Sequence, residues 1–399
     1  MWKATEGSTG RLLQLCLSYF IFYVITGVTL KYFTGKSTLG LPGMKETEFL
    51  VYSTLGGTSL CIAVVLVLRW FKSKSTNLVH WGRLSFPREY LYIVPSGVCT
   101  AVVIPTTTLM YLLPISVMVA MVIMRASIIV VSRVVDEVQI RQGILHKKVY
   151  IEENIGVVFA LIAASVQILW HKEGDFDFAR SGAAMGILGS YITAYAIRIY
   201  IMNYYKNTRG KGMKLDNKWF FSIEQIAACI TMVVVGLFLF YASLQFEWKS
   251  IQLDLFRGAF TSPKPMWSWA ILAGMAYGMV AFFSVFIFMF KGRTATFAGL
   301  VNRLTSLVAG TTSTLVFYFA FLCGVFLIHP ASSKIGSLVF LFAFKGSFPK
   351  TQDWFSLAFI FIAVGFLSAA ERKRVTELVA AHEIELAAGR AASAGAPAK

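Results

Sequence analysis

Charged residues are scarce in this sequence, and its acidic residues fall in loops, in tails or towards the ends of its long apolar runs. Asp, Glu, Lys and Arg make up 14% of the 399 residues, hydrophobic residues make up 57%, and the mean hydropathy is +0.66. Soluble globular domains carry about 25% charged residues. The composition therefore excludes an ordinary soluble protein and indicates an integral membrane protein.

Motifs for the common kinds of catalysis and metal binding are also missing. The five cysteines lie singly in apolar runs without CxxC spacing, so neither a disulfide framework nor a zinc site is indicated. No HExxH, P-loop or GxSxG motif occurs. We therefore expect no enzyme activity, no metal and no cofactor.

Ten apolar runs are long enough to cross a bilayer, which takes about 20 residues in a helix. They cover residues 12–33, 49–70, 90–112, 114–134, 153–170, 181–204, 219–243, 267–290, 295–328 and 354–370. The sequence thus predicts an all-α polytopic membrane protein with ten transmembrane helices. The ninth run is longer than one span requires, so we expect its helix to tilt or to end early.

The distribution of basic residues predicts the orientation in the membrane. With the N-terminus in the cytoplasm, 23 Lys and Arg lie on the cytoplasmic side and 11 on the opposite side. Cytoplasmic connections carry an excess of Lys and Arg, so we expect both termini to be cytoplasmic. The same bias, together with contacts to membrane lipids, accounts for the net charge of +17 without a nucleic-acid partner. We favour a bacterial inner membrane over a eukaryotic organelle membrane.

The two halves of the chain share a weak internal repeat. The pattern Ser-Tyr-X-X-X-Tyr-X-Ile occupies residues 18–25 in the first run and residues 190–197 in the sixth. The fourth run of each half contains an arginine, in Met-Arg-Ala-Ser at 124–127 and in Asn-Arg-Leu-Thr at 302–305. Five helices per half is an odd number, so the second half enters the bilayer inverted. Inverted repeats place a binding site near the midplane.

The repeat also predicts the domain organisation. Residues 1–172 form the first five-helix repeat and residues 173–371 the second. Residues 372–399 form a cytoplasmic tail that we expect to be largely disordered. Two GxxxG spacings, Gly182–Gly186 and Gly274–Gly278, are better explained by close helix packing than by chemistry.

Two arginines lie deep in the predicted membrane. At 1.5 Å per residue, Arg125 lies about 16 Å past the outer start of its helix and Arg303 about 13 Å past the inner start of its own. A charge at that depth costs about 2.5–3.5 kcal/mol even on a lenient scale. Pairing with a carboxylate such as Glu224, or with backbone carbonyls, is one explanation. Binding of an anion is favoured, because a guanidinium keeps its charge and offers five donors in a planar fork.

Tyrosines supply a second set of candidate binding residues. Tyr19 and Tyr23 lie one turn apart on one helical face, and Tyr191, Tyr195 and Arg198 share another. A buried tyrosine hydroxyl needs a partner, and its ring can stack on a base or sugar. Helix packing or an interfacial aromatic belt is the alternative.

Four further candidates complete the predicted substrate site. Arg198 lies near the predicted cytoplasmic end of its helix, where its side chain could extend to the headgroups. Asn302, Ser127 and Thr305 lie beside the two deep arginines in sequence and could donate or accept hydrogen bonds.

The layout of ten short-looped spans in two inverted halves resembles the drug/metabolite transporter superfamily. Residues 113–117 (Leu-Pro-Ile-Ser-Val) through 124–128 (Met-Arg-Ala-Ser-Ile) are similar to the fourth-helix region of its nucleotide-sugar and EamA-type members. Residues 297–304 fit the same region of the second half. The resemblance implies a central cavity lined by both halves, in which Arg125 and Arg303 hold an anionic substrate. The long connection between the ninth and tenth runs departs from the simple bacterial pattern.

These features together predict a secondary transporter that moves a small organic anion by alternating access. The anion would be a phosphorylated metabolite or resemble a nucleotide sugar, and the protein a monomer or homodimer. Exchange fits better than proton symport, because proton-coupled carriers usually use an Asp, Glu or His within the membrane. An exporter of amino acids or other neutral or zwitterionic metabolites is the first alternative. A lipid flippase or a lipid-acting membrane enzyme is the second.

Overall fold

The computed structural model describes residues 8–35, 41–72, 78–81, 84–112, 117–145, 149–169, 181–208, 216–246, 248, 250–290, 293–328 and 351–394. Across these ranges the secondary structure consists of eleven helices and one β-hairpin. The helices are α1 (Thr9–Thr34), α2 (Glu46–Val67), α3 (Tyr90–Leu112), α4 (Val117–Arg141), α5 (Ile151–Leu169), α6 (Gly182–Thr208), α7 (Asn217–Gln245), α8 (Ile251–Thr261), α9 (Trp267–Phe288), α10 (Ala295–Ile328) and α11 (Thr351–Ala394). The antiparallel hairpin pairs β1 (Leu78–Trp81) with β2 (Leu84–Pro87).

Seven helices are long and apolar enough to cross a membrane. They are α1, α2, α6, α7 and α9 over their full lengths, Tyr90–Thr107 of α3 and Trp354–Arg374 of α11. Large apolar side chains on the outside of the bundle, such as Val233, Leu237 and Phe238 of α7, are exposed, as a surface in contact with lipid requires. The chain is therefore an all-α membrane protein, which confirms that part of the prediction.

The long helices pack in pairs around two large hydrophobic cores, and a smaller third core lies among the end of α1, α2, α8 and α9. α2 packs on α9, α3 on α6 and α7, α1 on α9 and α10, α4 on α6 and α10, and α5 on α11. One core lies mainly among α3, α6 and α7, and the other among α1, α4, α5, α10 and α11. Helices α4 and α10 contribute to both cores, so the residues between them occupy the middle of the bundle.

Glycines allow the close approach of α2 and α9. A Cβ atom at Gly274 would overlap the backbone of Ser53, and one at Gly278 would overlap the backbone of Gly57. The Gly274–Gly278 spacing therefore serves close helix packing, as expected. Gly182 and Gly186 differ, because a Cβ atom at either position meets no neighbour within 4 Å among the described residues.

The ninth apolar run is helical over its whole length, and the last helix extends further than the sequence predicts. The ninth apolar run does not end early, since α10 continues unbroken for 34 residues. α11 continues for 44 residues, far beyond Arg374, where its apolar part ends. The prediction of a largely disordered tail over residues 372–399 is therefore wrong as far as Ala394. Its Ala, Glu, Leu and Arg residues are strong helix formers, and they continue the helix that the membrane span begins.

We expect Gly274→Leu to lower the unfolding temperature of the detergent-solubilised protein, because the new side chain must displace the backbone of α2. Overpacking of a close contact costs about 1–3 kcal/mol, and a contact with backbone falls at the upper end of that range. Gly186→Leu is the matched control and should unfold at the wild-type temperature. Equal unfolding temperatures for the two variants would contradict the close contact between α2 and α9.

Candidate functional site

Five helices bring two arginines and five tyrosines together in the middle of the bundle. We call this group the arginine–tyrosine cluster; it comprises Tyr19 and Tyr23 of α1, Arg125 of α4, Tyr191 and Tyr195 of α6, Tyr277 of α9 and Arg303 of α10. Arg303 interacts electrostatically with Arg125 and with tyrosines of both α1 and α6. Six of the ten predicted site residues therefore lie in one place, although they are separated by up to 284 residues in sequence.

The tyrosine pairs adopt the geometry that their spacing predicts. The ring centroids of Tyr19 and Tyr23 lie 5.6 Å apart, and those of Tyr191 and Tyr195 lie 4.9 Å apart. Residues four positions apart are neighbours on a helix surface, so each pair presents its rings to the same face. Tyr19, Tyr191 and Tyr195 are buried, which places these pairs inside the bundle and not in an interfacial belt.

Each arginine contacts the second tyrosine of one pair. Arg125 donates from Nη2 to the Tyr23 hydroxyl, and its Cζ atom lies 5.5 Å from the centroid of the Tyr23 ring. The Cζ atom of Arg303 lies 4.6 Å from the centroid of the Tyr195 ring. A desolvated cation–π contact contributes about 2 kcal/mol. The tyrosines therefore offset part of the cost of holding two guanidinium groups away from water.

The hydrogen-bonding capacity of Arg303 is not used up within the described part of the chain. Its side chain is 1% exposed, and among the described residues neither Nε nor Nη2 has an acceptor and no carboxylate lies within ion-pair distance. The Tyr191 hydroxyl likewise has no hydrogen-bond partner there. An unsatisfied buried donor costs about 1–3 kcal/mol, and more when it is charged. A carboxylate or a phosphate that enters the cluster would supply acceptors for these donors.

Arg198 belongs to a different arrangement, a buried ion pair with Glu224 of α7. Its Nε donates to Oε1 of Glu224 at 2.8 Å and its Nη2 to Oε2 at 3.1 Å. The same carboxylate accepts from the hydroxyls of Ser96 at 2.7 Å and Thr100 at 3.3 Å. Arg198 is 4% exposed, so the expectation that it extends to the headgroups is wrong. Its Cζ atom also lies 5.9 Å from the Tyr195 ring centroid, which places the pair beside the arginine–tyrosine cluster.

The three smaller candidates do not join the cluster in this structure. The Asn302 amide donates to Ser284 of α9 at 3.1 Å. The Ser127 hydroxyl donates to the Ile123 carbonyl of its own helix at 2.8 Å. Thr305 is two residues from Arg303, about 200° around the helix, and is only partly buried. Proximity in sequence to the arginines therefore does not place these side chains at the same face.

Tyr277 is not assigned from the sequence, and Glu224 is considered there only as a possible partner of the two deep arginines. Tyr277 is partly buried and interacts with Tyr195 and Arg125. It lies in a run that is apolar all round, so no periodicity marks its face. Glu224 is the eighth residue of α7 and is fully buried. Its depth is similar to that of Arg198 in the preceding helix, a match that could have suggested the ion pair.

A second group of charged residues closes one end of the bundle. We call it the Arg374 cluster; it comprises Glu153 of α5, Arg293 before α10, and Glu371 and Arg374 of α11. Arg293 pairs with Glu371, Arg374 pairs with Glu153, and Arg374 Nη1 lies 3.5 Å from Glu371 Oε2. All four residues are buried. They join α11 to α5 and to the segment that begins α10.

Two further contacts at this end of the bundle hold the start of α10 and the extension of α11. Asp136 of α4 accepts hydrogen bonds from the backbone N–H groups of Ala295 at 2.8 Å and Thr296 at 2.5 Å. A carboxylate at this position satisfies donors that a helix N-terminus leaves unpaired and complements the helix dipole. Tyr150, between α4 and α5, donates to Glu377 of α11. Burial, together with this bond, raises the pKa of the Tyr150 phenol to about 12, so it stays a neutral donor at physiological pH.

Breaking the Arg198–Glu224 pair from one side should be strongly destabilising. Arg198→Met or Glu224→Met alone leaves an uncompensated buried charge, which costs about 3–5 kcal/mol. The double variant removes both charges and should regain most of that stability. Chemical unfolding in detergent measures the three variants. A double variant as unstable as the single ones would show that the two residues do not act mainly as a pair.

Comparison with known proteins assigns no family. No protein-family model matches the chain, and no curated protein matches it. A solved structure described only as "Crystal structure of protein" is 13% identical, covers 92% of this chain and 99% of its own, and has a TM-score of 0.47. Similarity at this level carries no argument about function.

Proposed function

We propose that this membrane protein is a secondary transporter that moves a small organic anion by alternating access. The observation that carries the proposal is the arginine–tyrosine cluster, in which two buried guanidinium groups from different parts of the chain meet. Arg303 keeps two N–H donors without acceptors among the described residues. A phosphate or carboxylate group would supply those acceptors in the bidentate geometry that arginine favours. A sugar or base attached to it would pack on the tyrosine rings.

The packing of the helices supports the proposed inverted repeat. The main packing pairs are preserved as a set when five pairs of helices are exchanged: α1 with α6, α2 with α7, α3 with α9, α4 with α10 and α5 with α11. The α2–α9 pair becomes α7–α3, α3–α6 becomes α9–α1, and α1–α10 becomes α6–α4. The α4–α10 and α5–α11 pairs are converted into themselves. This pattern is expected of two related halves of five helices each, and it favours ten transmembrane helices.

The two arginines also correspond under that exchange. Arg125 of α4 contacts Tyr23 of α1, and Arg303 of α10 contacts Tyr195 of α6. Tyr23 and Tyr195 are the second tyrosines of the two repeated patterns. Each half therefore contributes one arginine and one tyrosine in equivalent contact. A central site built from both halves is what the resemblance to the drug/metabolite transporter superfamily implies, and alternating access places it between them.

Exchange of anions fits the buried charges better than proton symport. Glu224 is a carboxylate inside the bundle, which a proton-coupled carrier would use. However, its two oxygens accept from Arg198, Ser96 and Thr100, so the charged form is held by three partners. An exchanger returns to its starting conformation only after it has bound a second anion. Such a carrier would use the positive charge of the arginine–tyrosine cluster to bind both anions.

The Arg374 cluster fits a closed cytoplasmic gate. It lies at the end of the bundle where α5 begins, which the excess of basic residues assigns to the cytoplasm. Buried ion pairs that join α11 to α5 and α10 would have to separate for the cluster to open to that side. We propose that both termini are cytoplasmic, with a bacterial inner membrane favoured.

Export of zwitterionic metabolites is the weaker alternative. An amino acid would bring a carboxylate to the arginines and an ammonium group that needs an acceptor. The arginine–tyrosine cluster as described contains no carboxylate, only phenol oxygens. A pure anion adds no positive charge to the two guanidinium groups and therefore fits this group of side chains better.

We expect Arg125→Ala and Arg303→Ala each to reduce anion exchange in proteoliposomes by about a hundredfold or more. Charge-assisted hydrogen bonds contribute about 1.5–3 kcal/mol each, and a guanidinium can form two. Exchange would be measured with labelled inorganic phosphate, a hexose phosphate and a nucleotide sugar, against internal loads of the same compounds. Arg141→Ala is the matched control, because Arg141 lies on α4 with its side chain 78% exposed.

Folding of each variant would be checked by its thermal unfolding in detergent before reconstitution. The same measurement tests binding, because a ligand that binds the folded state raises the apparent unfolding temperature. Phosphorylated compounds should stabilise the wild-type protein and not the two arginine variants. Wild-type exchange rates in folded Arg125→Ala and Arg303→Ala would overturn the proposed function.

A further inference from the structure

Lys31 is a partly buried lysine that lies outside the arginine–tyrosine cluster. It lies in the last turn of α1. Its Nζ donates to Thr314 Oγ1 of α10 at 2.7 Å. The Thr314 hydroxyl in turn donates to the Gly310 carbonyl at 3.0 Å. Among the described residues Lys31 has no carboxylate within ion-pair distance.

The position of this contact follows from the two helices that form it. Thr314 lies eleven residues after Arg303, which is three turns and about 16 Å along α10 on nearly the same face. Lys31 lies eight residues after Tyr23, about 12 Å along α1. The Lys31–Thr314 contact therefore sits between the same two helices as part of the arginine–tyrosine cluster, displaced towards the end of the bundle opposite the Arg374 cluster.

The helices meet closely between these two levels. A Cβ atom at Gly27 would overlap the side chain of Ser313, and α1 packs on α10 along this stretch. An anion that enters from that end between α1 and α10 would pass Lys31 before it reaches Arg303. Lys31 is a charged group at that interface.

We infer that Lys31, oriented by Thr314, is a first binding step for the anion on its way to the arginine–tyrosine cluster. This inference rests on the proposed function. An ammonium group has three donors, and Thr314 is the one acceptor that the described residues provide. As a compact and strongly hydrated charge, lysine holds an anion less rigidly than the fork of arginine. An anion on a transport path must bind strongly enough to enter and weakly enough to move on.

The inference predicts a one-sided kinetic effect. Transport of the labelled anion that the wild-type protein exchanges fastest would be measured in right-side-out and in inverted membrane vesicles. Lys31→Met should raise KM about tenfold in one orientation, and leave kcat and the KM in the other orientation unchanged. Added salt should raise the wild-type KM on that side, because screening weakens the attraction, and should have little effect on the variant.

Three further variants separate this role from a structural one. Lys31→Arg keeps the charge and should retain a KM close to that of the wild type. Lys31→Gln can still donate to Thr314 but lacks the charge, so it should behave like Lys31→Met. Lys45→Met removes an exposed lysine at the start of α2, at the same end of the bundle, and should transport normally.

The outcomes also separate this inference from the proposed function. Equal changes of KM from both sides, or wild-type kinetics in Lys31→Gln, would show that Lys31 only joins α1 to α10 and would overturn the inference. If Lys31→Met does not fold, the comparison of Lys31→Gln with Lys31→Arg decides. A wild-type protein that exchanges none of the anions would overturn the proposed function itself.

Discussion

The rest of the structure depends on one constraint, which is that a guanidinium group surrounded by apolar helices must find its compensation nearby. The two solutions lie side by side. Arg198 is paired with Glu224, whose carboxylate is further bonded to Ser96 and Thr100. Arg303 is held over the Tyr195 ring without a carboxylate in the described part of the chain. The first solution is complete within the protein and therefore stabilises one packing of α3, α6 and α7. The second leaves Nε and Nη2 of Arg303 without an acceptor among the described residues.

Tyr195 connects the two solutions. Its ring lies 4.6 Å from Cζ of Arg303 and 5.9 Å from Cζ of Arg198. The orientation of this ring therefore depends on a rigid neighbour, because Arg198 is fixed by two hydrogen bonds to one carboxylate. A binding residue keeps its geometry more precisely when the residues that support it are themselves held in place. The ion pair thus has a role even if it never touches a ligand, since it holds one wall of the arginine–tyrosine cluster in place.

Periodicity and depth, both readable from the sequence, were enough to predict much of the candidate site. Each of the ten apolar runs overlaps one long helix, and the spacing of four residues correctly paired Tyr19 with Tyr23. The failures have physical causes. The partner of Arg198 lies on another helix, and a similar depth does not by itself show that the two side chains face each other. Ser127 and Thr305 are near the arginines in sequence but on other faces. Nothing in the composition of an Ala-rich tail distinguishes a helix from a disordered chain until the preceding span is known to continue into it.

The length of α11 means that a small movement of its membrane span would displace the part of the helix outside the membrane. About 20 residues follow Arg374 in this helix, so a stiff rod extends roughly 30 Å beyond the apolar span. The ion pairs of Glu371 and Arg374 lie at the base of that rod. A rotation of the helix by about 10° about this base would displace its far end by about 5 Å over that length. Small rearrangements of α5 and α11 would therefore become movements on the scale of a side chain at the far end of this helix.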